Sequence, residues 1–336
     1  ARLCVAGARQ LYEFCAQRGI PATRSGKLVI ATRPEELPRL DELERRGIAN
    51  GVPELRRLAG DEIAEVEPHA RGIAAINSPA TGIVDFRAVA KALAEEVRAR
   101  GGSVITRCEV RSVRDGESGV EVGHTLGTTR ARALVSCAGA WSDRLAVAAG
   151  APAGPRIIPF RGAYLRLRAH RAHLVRASIY PVPDPELPFL GAHLTRGQDG
   201  TVLLGPSALM VGALDAYDPR RISATDVRRT LSWPGTWRMA RVHWRTALAE
   251  LVSAVRPAAL VREARRLVPE LASTDFVTGP VGIRAQAVAR DGTLVDDFVL
   301  SRTGRCVHVR NAPSPAATSS LALARLIADE VELPEA

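Results

Sequence analysis

The sequence contains no G-x-G-x-x-G and no G-x-x-x-x-G-K-[ST]. Either loop would present backbone amides and a helix start to a phosphate. A dinucleotide or P-loop cradle of the ordinary kind is therefore excluded from these residues. Lysine is nearly absent: Lys27 and Lys91 are the only two, and the rest of the 46 basic residues are arginines. Aromatics are only 4%, too few to stack successive bases. The net charge of +10 is spread along the chain and interleaved with 36 acidic residues. A nucleic-acid partner needs a clustered basic face, so this class is set aside. The charge favours instead an acidic small molecule or an anionic membrane surface. The five cysteines, Cys4, Cys15, Cys108, Cys137 and Cys306, are scattered and form no C-x-x-C. That argues against a metal site or a disulfide framework and for a reducing compartment. There is no run of roughly 18 apolar residues to span a membrane and no signal-peptide pattern at the start. The expectation is a cytoplasmic protein, with peripheral contact at the inner membrane face as a variant.

What is present is a long, ordinary core-forming chain. At 336 residues and 46% hydrophobic content it can bury one large core or two interwoven ones. Helical and strand-like patterns alternate. Leu3, Leu11, Phe14 and Cys15 fit one face of an opening helix over Ala1–Arg18. Lys27–Ala31 reads as a strand. Thr32-Arg-Pro-Glu35 reads as a capping box starting a helix. Asp85 caps a helix that Gly101-Gly102 ends. Strands are expected at Ser103–Thr106, Glu109–Val113, Gly119–Val122, Ala133–Cys137, Ile157–Leu167 and Thr201–Gly205. The segment Ile179–Thr195 is extended and Pro-rich, Trp237–Leu267 is helical, and a final helix covers Pro315–Val331. The alternation suggests a nucleotide-binding layer split in sequence, with a substrate layer inserted.

Three segments bear on chemistry. In Ser136–Asp143 an apolar strand enters a small-residue turn, Cys137-Ala138-Gly139, and then a helix. Small residues let a backbone approach a ligand, and a helix start offers free amides. Gly282-Ile283-Arg284 precedes the turn signal Asp291-Gly292. An arginine there can grip a carboxylate with two parallel hydrogen bonds, although a solvated arginine is the commoner outcome. Asn311-Ala-Pro-Ser-Pro-Ala-Ala-Thr318 leads from a strand into an apolar helix, with Ser314 suited to the N-cap and Pro315 to the first turn. Its helix dipole suits an anionic ring or carboxylate. Arg161, Tyr180 and His193 add polar groups near sheet edges, and His193 has the right basicity for proton abstraction.

Together these segments resemble a family. The chain is similar to the FAD-dependent oxidoreductases of the D-amino-acid-oxidase superfamily, and most like the L-2-hydroxyglutarate oxidase/dehydrogenase group. The resemblance is carried by GKLVIAT at Gly26–Thr32, EPHARGIAAINSPATGIVDF at Glu67–Phe86 and SCAGAWSDR at Ser136–Arg144. It continues through IIPFRGAYLRLR at Ile157–Arg168 and IYPVPDPELPFLGAHLTRGQDGTVLLGP at Ile179–Pro206, and closes with GIRAQAVARDGTLVDDF and NAPSPAAT. It implies an α/β (α+β) fold, with a Rossmann-like FAD layer and an antiparallel substrate sheet. The layers divide as 1–150 (FAD layer, with substrate-sheet insertions near 20–80), 151–275 (mainly substrate) and 276–336 (return to the FAD layer). It implies FAD as cofactor, a 2-hydroxydicarboxylate as substrate, and oxygen, a quinone or a carrier protein as electron acceptor. Val110, Cys137, Ala138 and Gly139 would lie near the ADP half of FAD. Asn311, Ala312, Pro313, Ser314, Ala316, Ala317 and Thr318 would face the flavin ring. Arg284 would take the substrate carboxylate, with Arg161, Tyr180 and His193 on the substrate side.

The sequence departs from this family in three places. The strand–G-x-G-x-x-G–helix unit, about 30 residues or more, has no counterpart, so the chain as given is expected to purify without stoichiometric FAD. Arg310 stands where the family has an apolar residue, and His124–Arg132 matches poorly. Two other readings stay open at this point: a non-catalytic remnant that retains no FAD, and a flavin enzyme acting on an amine or on glycerol 3-phosphate.

Overall fold

The computed structural model describes residues 1–117, 119–184, 191–248 and 257–331. Its largest element is a nine-stranded sheet whose hub is the long strand Arg156–Leu167. Along one edge this strand pairs antiparallel with Phe276–Val288, with a register shift between Ala163 and Leu165. Along the other it pairs with Val202–Gly205 and Leu209–Met210. From Val202–Gly205 the order runs through His193–Arg196, Ser178–Pro181, Lys27–Ala31, Ala74–Ser78 and Arg56–Ala59. Only the pair of Ser178–Pro181 with Lys27–Ala31 is parallel.

Side chains alternate across a strand, and the two faces of this sheet differ. Leu28, Ile30, Ile179, Leu194 and Leu204 are all fully buried. They pack on Val261 and Ala264 of the helix Pro257–Ala264 and on Leu267 and Leu271 beyond it. Removing that apolar surface from water is the main force fixing the register, since a slip of one residue would expose all of it. Below this core the carboxylate of Glu67 is fully buried and accepts hydrogen bonds from the backbone N–H groups of Arg176 and Ala177.

A second layer holds Leu134–Ser136 parallel to Cys306–Asn311, with Val299–Thr303 antiparallel at the far edge. The helix Ala316–Asp329 follows and packs on the opening helix Arg2–Arg18. That contact depends on Gly7, where a Cβ would sit 2.5 Å from the Thr318 carbonyl oxygen. A third, three-stranded sheet spans Val110–Gly116, Gly119–His124 and Gly127–Ala131.

Several local expectations shift. The capping box at Thr32 does not form: the 3-10 turn Pro34–Glu36 before the helix Leu37–Ala49 has Arg33 at its N-cap with no side-chain cap bond, and it is Glu36, not Glu35, that accepts from the Thr32 backbone N–H, at 2.7 Å. Ser103–Thr106 finds no strand partner among the described residues, and Ile105 is left exposed; β-branched residues alone do not make a strand. The expected helix over Trp237–Leu267 contains the helices Pro234–Val242 and Pro257–Ala264, and its middle includes residues outside those described. At the last helix the N-cap is Pro315, with no side-chain cap bond, so Ser314 does not cap it. Instead the Ser319 hydroxyl bonds back to the Pro315 carbonyl, a local habit of serine in helices.

Candidate active site

The register of the nine-stranded sheet gathers polar groups on the face opposite the core. Arg284 stands opposite Phe160, and Gly282 opposite Gly162. Directly paired residues share a face. Two residues beyond Gly162 comes Tyr164; farther across, His193 stands opposite Gly205, and Tyr180 beside Val29. Lys27, two residues before Val29, shares that face. Of the three glycines between Arg284 and the Tyr164–His193–Tyr180 group, Gly162 is covered by Pro206, 3.0 Å from where its Cβ would sit, and Gly205 by the Tyr164 ring and the Ala163 carbonyl, while Gly282 is left open. A Cβ at Gly282 would meet nothing within 4 Å, so space stands open there.

His193 and Tyr180 stack, with ring centroids 4.1 Å apart and planes 14° from parallel. The Lys27 ammonium lies over the Tyr180 ring, 3.9 Å from its centroid. Because their strands are ordered Lys27, Tyr180, His193 across the sheet, the tyrosine sits between cation and imidazole. His193 is buried, and its Nδ1 lies 3.0 Å from the Gly191 carbonyl. A carbonyl only accepts, so Nδ1 carries the proton and Nε2 keeps its lone pair. Burial holds the His193 pKa below the ordinary imidazole value; the Gly191 bond opposes this and the Lys27 charge adds to it. The ring is a neutral base at physiological pH. Burial likewise lowers the Lys27 pKa and raises those of Tyr164 and Tyr180, the last opposed by a hydrogen bond with Thr195.

At the other end of the face Arg284 Nε donates to Gln286 Oε1 at 3.1 Å. Gln286 Nε2 donates to the carbonyls of Ala287 at 3.1 Å and Val295 at 3.4 Å. The Val295 carbonyl also accepts from Asn311 Nδ2 at 3.0 Å, and Asn311 Nδ2 reaches the Asp297 carbonyl at 2.8 Å. A continuous chain of hydrogen bonds thus joins Arg284 to the start of the 311–318 loop.

That loop and the 137–139 turn leave the carboxyl ends of two neighbouring parallel strands. In α/β layers this is where nucleotide ligands bind. Cys137, Gly139, Ala312, Ser314 and Ala317 are exposed, and Gly139 has φ 54° with open space beside it. The first-turn amides of the 14-residue terminal helix have no side-chain cap, so its positive end faces outward. These small, exposed residues leave the room that close approach of a flavin nucleotide to the backbone requires. Arg310, just before the loop, is buried rather than lining it. Its Nη1 and Nη2 donate to the Pro152 and Pro155 carbonyls at 2.8 and 3.2 Å, and the charge of Asp143 lies near.

Not every expected residue joins this face. Arg161 pairs with Ile283, one step out of phase with Arg284, and its Nε donates to the Tyr217 carbonyl at 3.2 Å. Val110, expected beside the ADP half of the cofactor and not on this face, opens the three-stranded sheet, paired with His124. A cavity of about 1100 Å³ lies elsewhere, between Tyr12 of the opening helix and Ala80–Val84, and touches the 311–318 loop only at Thr318. Lys27, Tyr164 and Gln286 share this face without having been expected there from the sequence. The rarity of lysine was the one signal for Lys27; nothing local marked the other two.

A parallel pair of strands ending in small-residue turns, beside a large, mostly antiparallel sheet with one polar face, is the two-layer arrangement that the resemblance to flavin oxidoreductases implies. The family described as FAD dependent oxidoreductase matches residues 1–330, and the chain belongs to it. Among relatives, the mitochondrial L-2-hydroxyglutarate dehydrogenase of Homo sapiens is 42% identical over 349 residues, covering 99% of this chain and 75% of that protein. The L-2-hydroxyglutarate dehydrogenase of Indibacter alkaliphilus is 38% identical over 324 residues, covering 96% and 81%. Among solved structures, the FAD-bound L-alpha-glycerophosphate oxidase of Mycoplasma pneumoniae superposes with a TM-score of 0.74 at 20% identity, covering 99% of this chain and 80% of that one. Glycine oxidase from Geobacillus kaustophilus gives 0.67 at 22%, with the same coverage. These two likenesses establish the fold.

Proposed function

We propose that the protein oxidises an L-2-hydroxydicarboxylate to the 2-oxo acid, with L-2-hydroxyglutarate as its best substrate. The observation that carries this is the 42% identity to the human L-2-hydroxyglutarate dehydrogenase across 99% of the chain. FAD, when bound, supplies the two-electron acceptor. The turn Cys137-Ala138-Gly139 and the loop Asn311–Thr318 would hold it, and the nine-stranded sheet would be the substrate layer. Arg284 grips the carboxylate next to the reacting carbon. The open space over Gly282 admits the carbon chain. His193 takes the hydroxyl proton on Nε2, with its ring held by Tyr180 and its Nδ1–H by Gly191. The test is product analysis with both enantiomers: L-2-hydroxyglutarate should give 2-oxoglutarate and the D form should not. Equal turnover of the two would end the proposal.

Peripheral membrane contact is supported by a specific surface. Trp237, Val242, Trp244 and Leu248 are all more than half exposed, Arg238, Arg241 and Arg245 stand among them, and no acidic residue occurs between Asp226 and Glu250. Exposed tryptophan with arginine suits an anionic bilayer surface. No helix among the described residues is long and apolar enough to cross a membrane. Flotation with phosphatidylglycerol vesicles but not with phosphatidylcholine vesicles is expected. Trp237→Ser with Trp244→Ser should abolish it, and unchanged flotation would refute this surface.

A further inference from the structure

We propose that Gln286 is a positioning residue for the Arg284 guanidinium, fixing its plane relative to the Asn311 loop through the shared Val295 carbonyl. This rests on the reading of Arg284 as the carboxylate-binding group.

Gln286 is 3% exposed, so both ends of its amide need partners. Its orientation is dictated by chemistry. Arg284 Nε can only donate, so it must face Oε1; the Ala287 and Val295 carbonyls can only accept, so they must face Nε2. Arg284 and Gln286 are two residues apart on one strand and share a face, so the bond can form without distorting the backbone. A guanidinium is a planar fork. Fixing Nε fixes the direction of the whole plane, and the two terminal nitrogens then present a defined edge to a carboxylate. The second half of the amide ties that plane to a fixed point: the Val295 carbonyl also receives Asn311 Nδ2, at the root of the 311–318 loop. Substrate carboxylate and cofactor loop are thereby referred to one anchor. Such referencing matters because a small misplacement of the reacting carbon costs rate steeply.

Glutamine is the residue this role requires. A glutamate would keep the acceptor for Arg284 but pair with its charge, competing with the substrate carboxylate. It would also set an oxygen against the Val295 carbonyl, where Nε2 now donates. A methionine would fill the same volume and supply neither bond.

The test uses the FAD-loaded protein with Gln286→Met, Gln286→Glu, Arg284→Lys and the double variant Arg284→Lys/Gln286→Met. The dissociation constant for 2-oxoglutarate is measured by calorimetry and the KM and kcat for L-2-hydroxyglutarate by steady-state assay. Gln286→Met should weaken 2-oxoglutarate and raise KM at least tenfold, because the guanidinium loses its fixed plane. Gln286→Glu should weaken both by more than Gln286→Met does. The double variant should be far less than additive, since glutamine acts through arginine. A merely structural glutamine would lower the melting temperature while leaving the dissociation constant unchanged, or would give additive effects. Either result overturns the positioning role if Arg284→Lys by itself weakens 2-oxoglutarate. If Arg284→Lys leaves 2-oxoglutarate binding unchanged, the reading of Arg284 falls instead. Should Gln286→Met fail to fold, Gln286→Glu carries the test, with unaltered 2-oxoglutarate affinity as the refuting result.

Discussion

Replacing Arg284 by lysine isolates what the guanidinium contributes. The side chain stands exposed on the face of the sheet, with open space over Gly282 two residues away, so lysine fits without strain. Lysine keeps the charge but offers a point ammonium in place of a fork. One of two charge-assisted hydrogen bonds to the carboxylate is lost, and such a bond contributes roughly 1.5–3 kcal/mol. Taking about 2 kcal/mol, kcat/KM for L-2-hydroxyglutarate should fall about 30-fold. Arg284 is absent from the 137–139 turn and from the 311–318 loop, so FAD content should be unchanged. The assay is steady-state oxidation with an artificial electron acceptor, alongside the flavin absorbance per mole of protein. An unchanged kcat/KM, or lost flavin with normal kinetics per bound flavin, would refute the role assigned to Arg284.

Removing the base has a different signature. His193→Ala should lower kcat by about 10²–10⁴ with little effect on 2-oxoglutarate binding, and a fall in kcat below tenfold would count against it. Burial lowers the His193 pKa, so the acid limb of the kcat/KM profile should lie below about pH 6.5, the ordinary imidazole value. Lys27→Met removes a neighbouring charge that depresses this pKa and should move the limb upward; a downward move contradicts the stacking account. Since the unfolded state then binds the extra proton, this histidine's contribution to stability is present above about pH 6.5 and lost as pH falls toward the folded value. Gly282→Val adds a side chain where a Cβ meets nothing within 4 Å. It should leave the melting temperature nearly unchanged yet raise KM at least tenfold, and normal KM would show that the substrate does not occupy the space over Gly282.

Much of the architecture is readable in the sequence because it follows from local periodicity. KLVIA at Lys27–Ala31 is a short, β-branched apolar run, and its Leu28 and Ile30 do fill the core. Asp85 does cap its helix, accepting from the Arg87 N–H at 2.8 Å. The small-residue turns at 137–139 and 311–318 advertise close backbone approach. What the sequence hides is register. Arg161 and Arg284 look equivalent on paper, but their partners Ile283 and Phe160 put them out of phase. Lys27 and Tyr180 lie far apart in the chain and meet through a parallel strand pair that nothing local encodes. Gln286 is an ordinary polar residue until its neighbours Arg284 and Val295 are in place. Terminal caps also escape a reading by residue type, as Ser314 shows: the chain turns into the helix one residue later than its side chain would favour.

Anaerobic mixing of the FAD-loaded protein with candidate substrates decides which of them reduces the flavin. L-2-hydroxyglutarate should bleach the oxidised flavin band at least a hundredfold faster than glycine, sarcosine or glycerol 3-phosphate at equal concentration. Faster bleaching by any of those three would contradict the account.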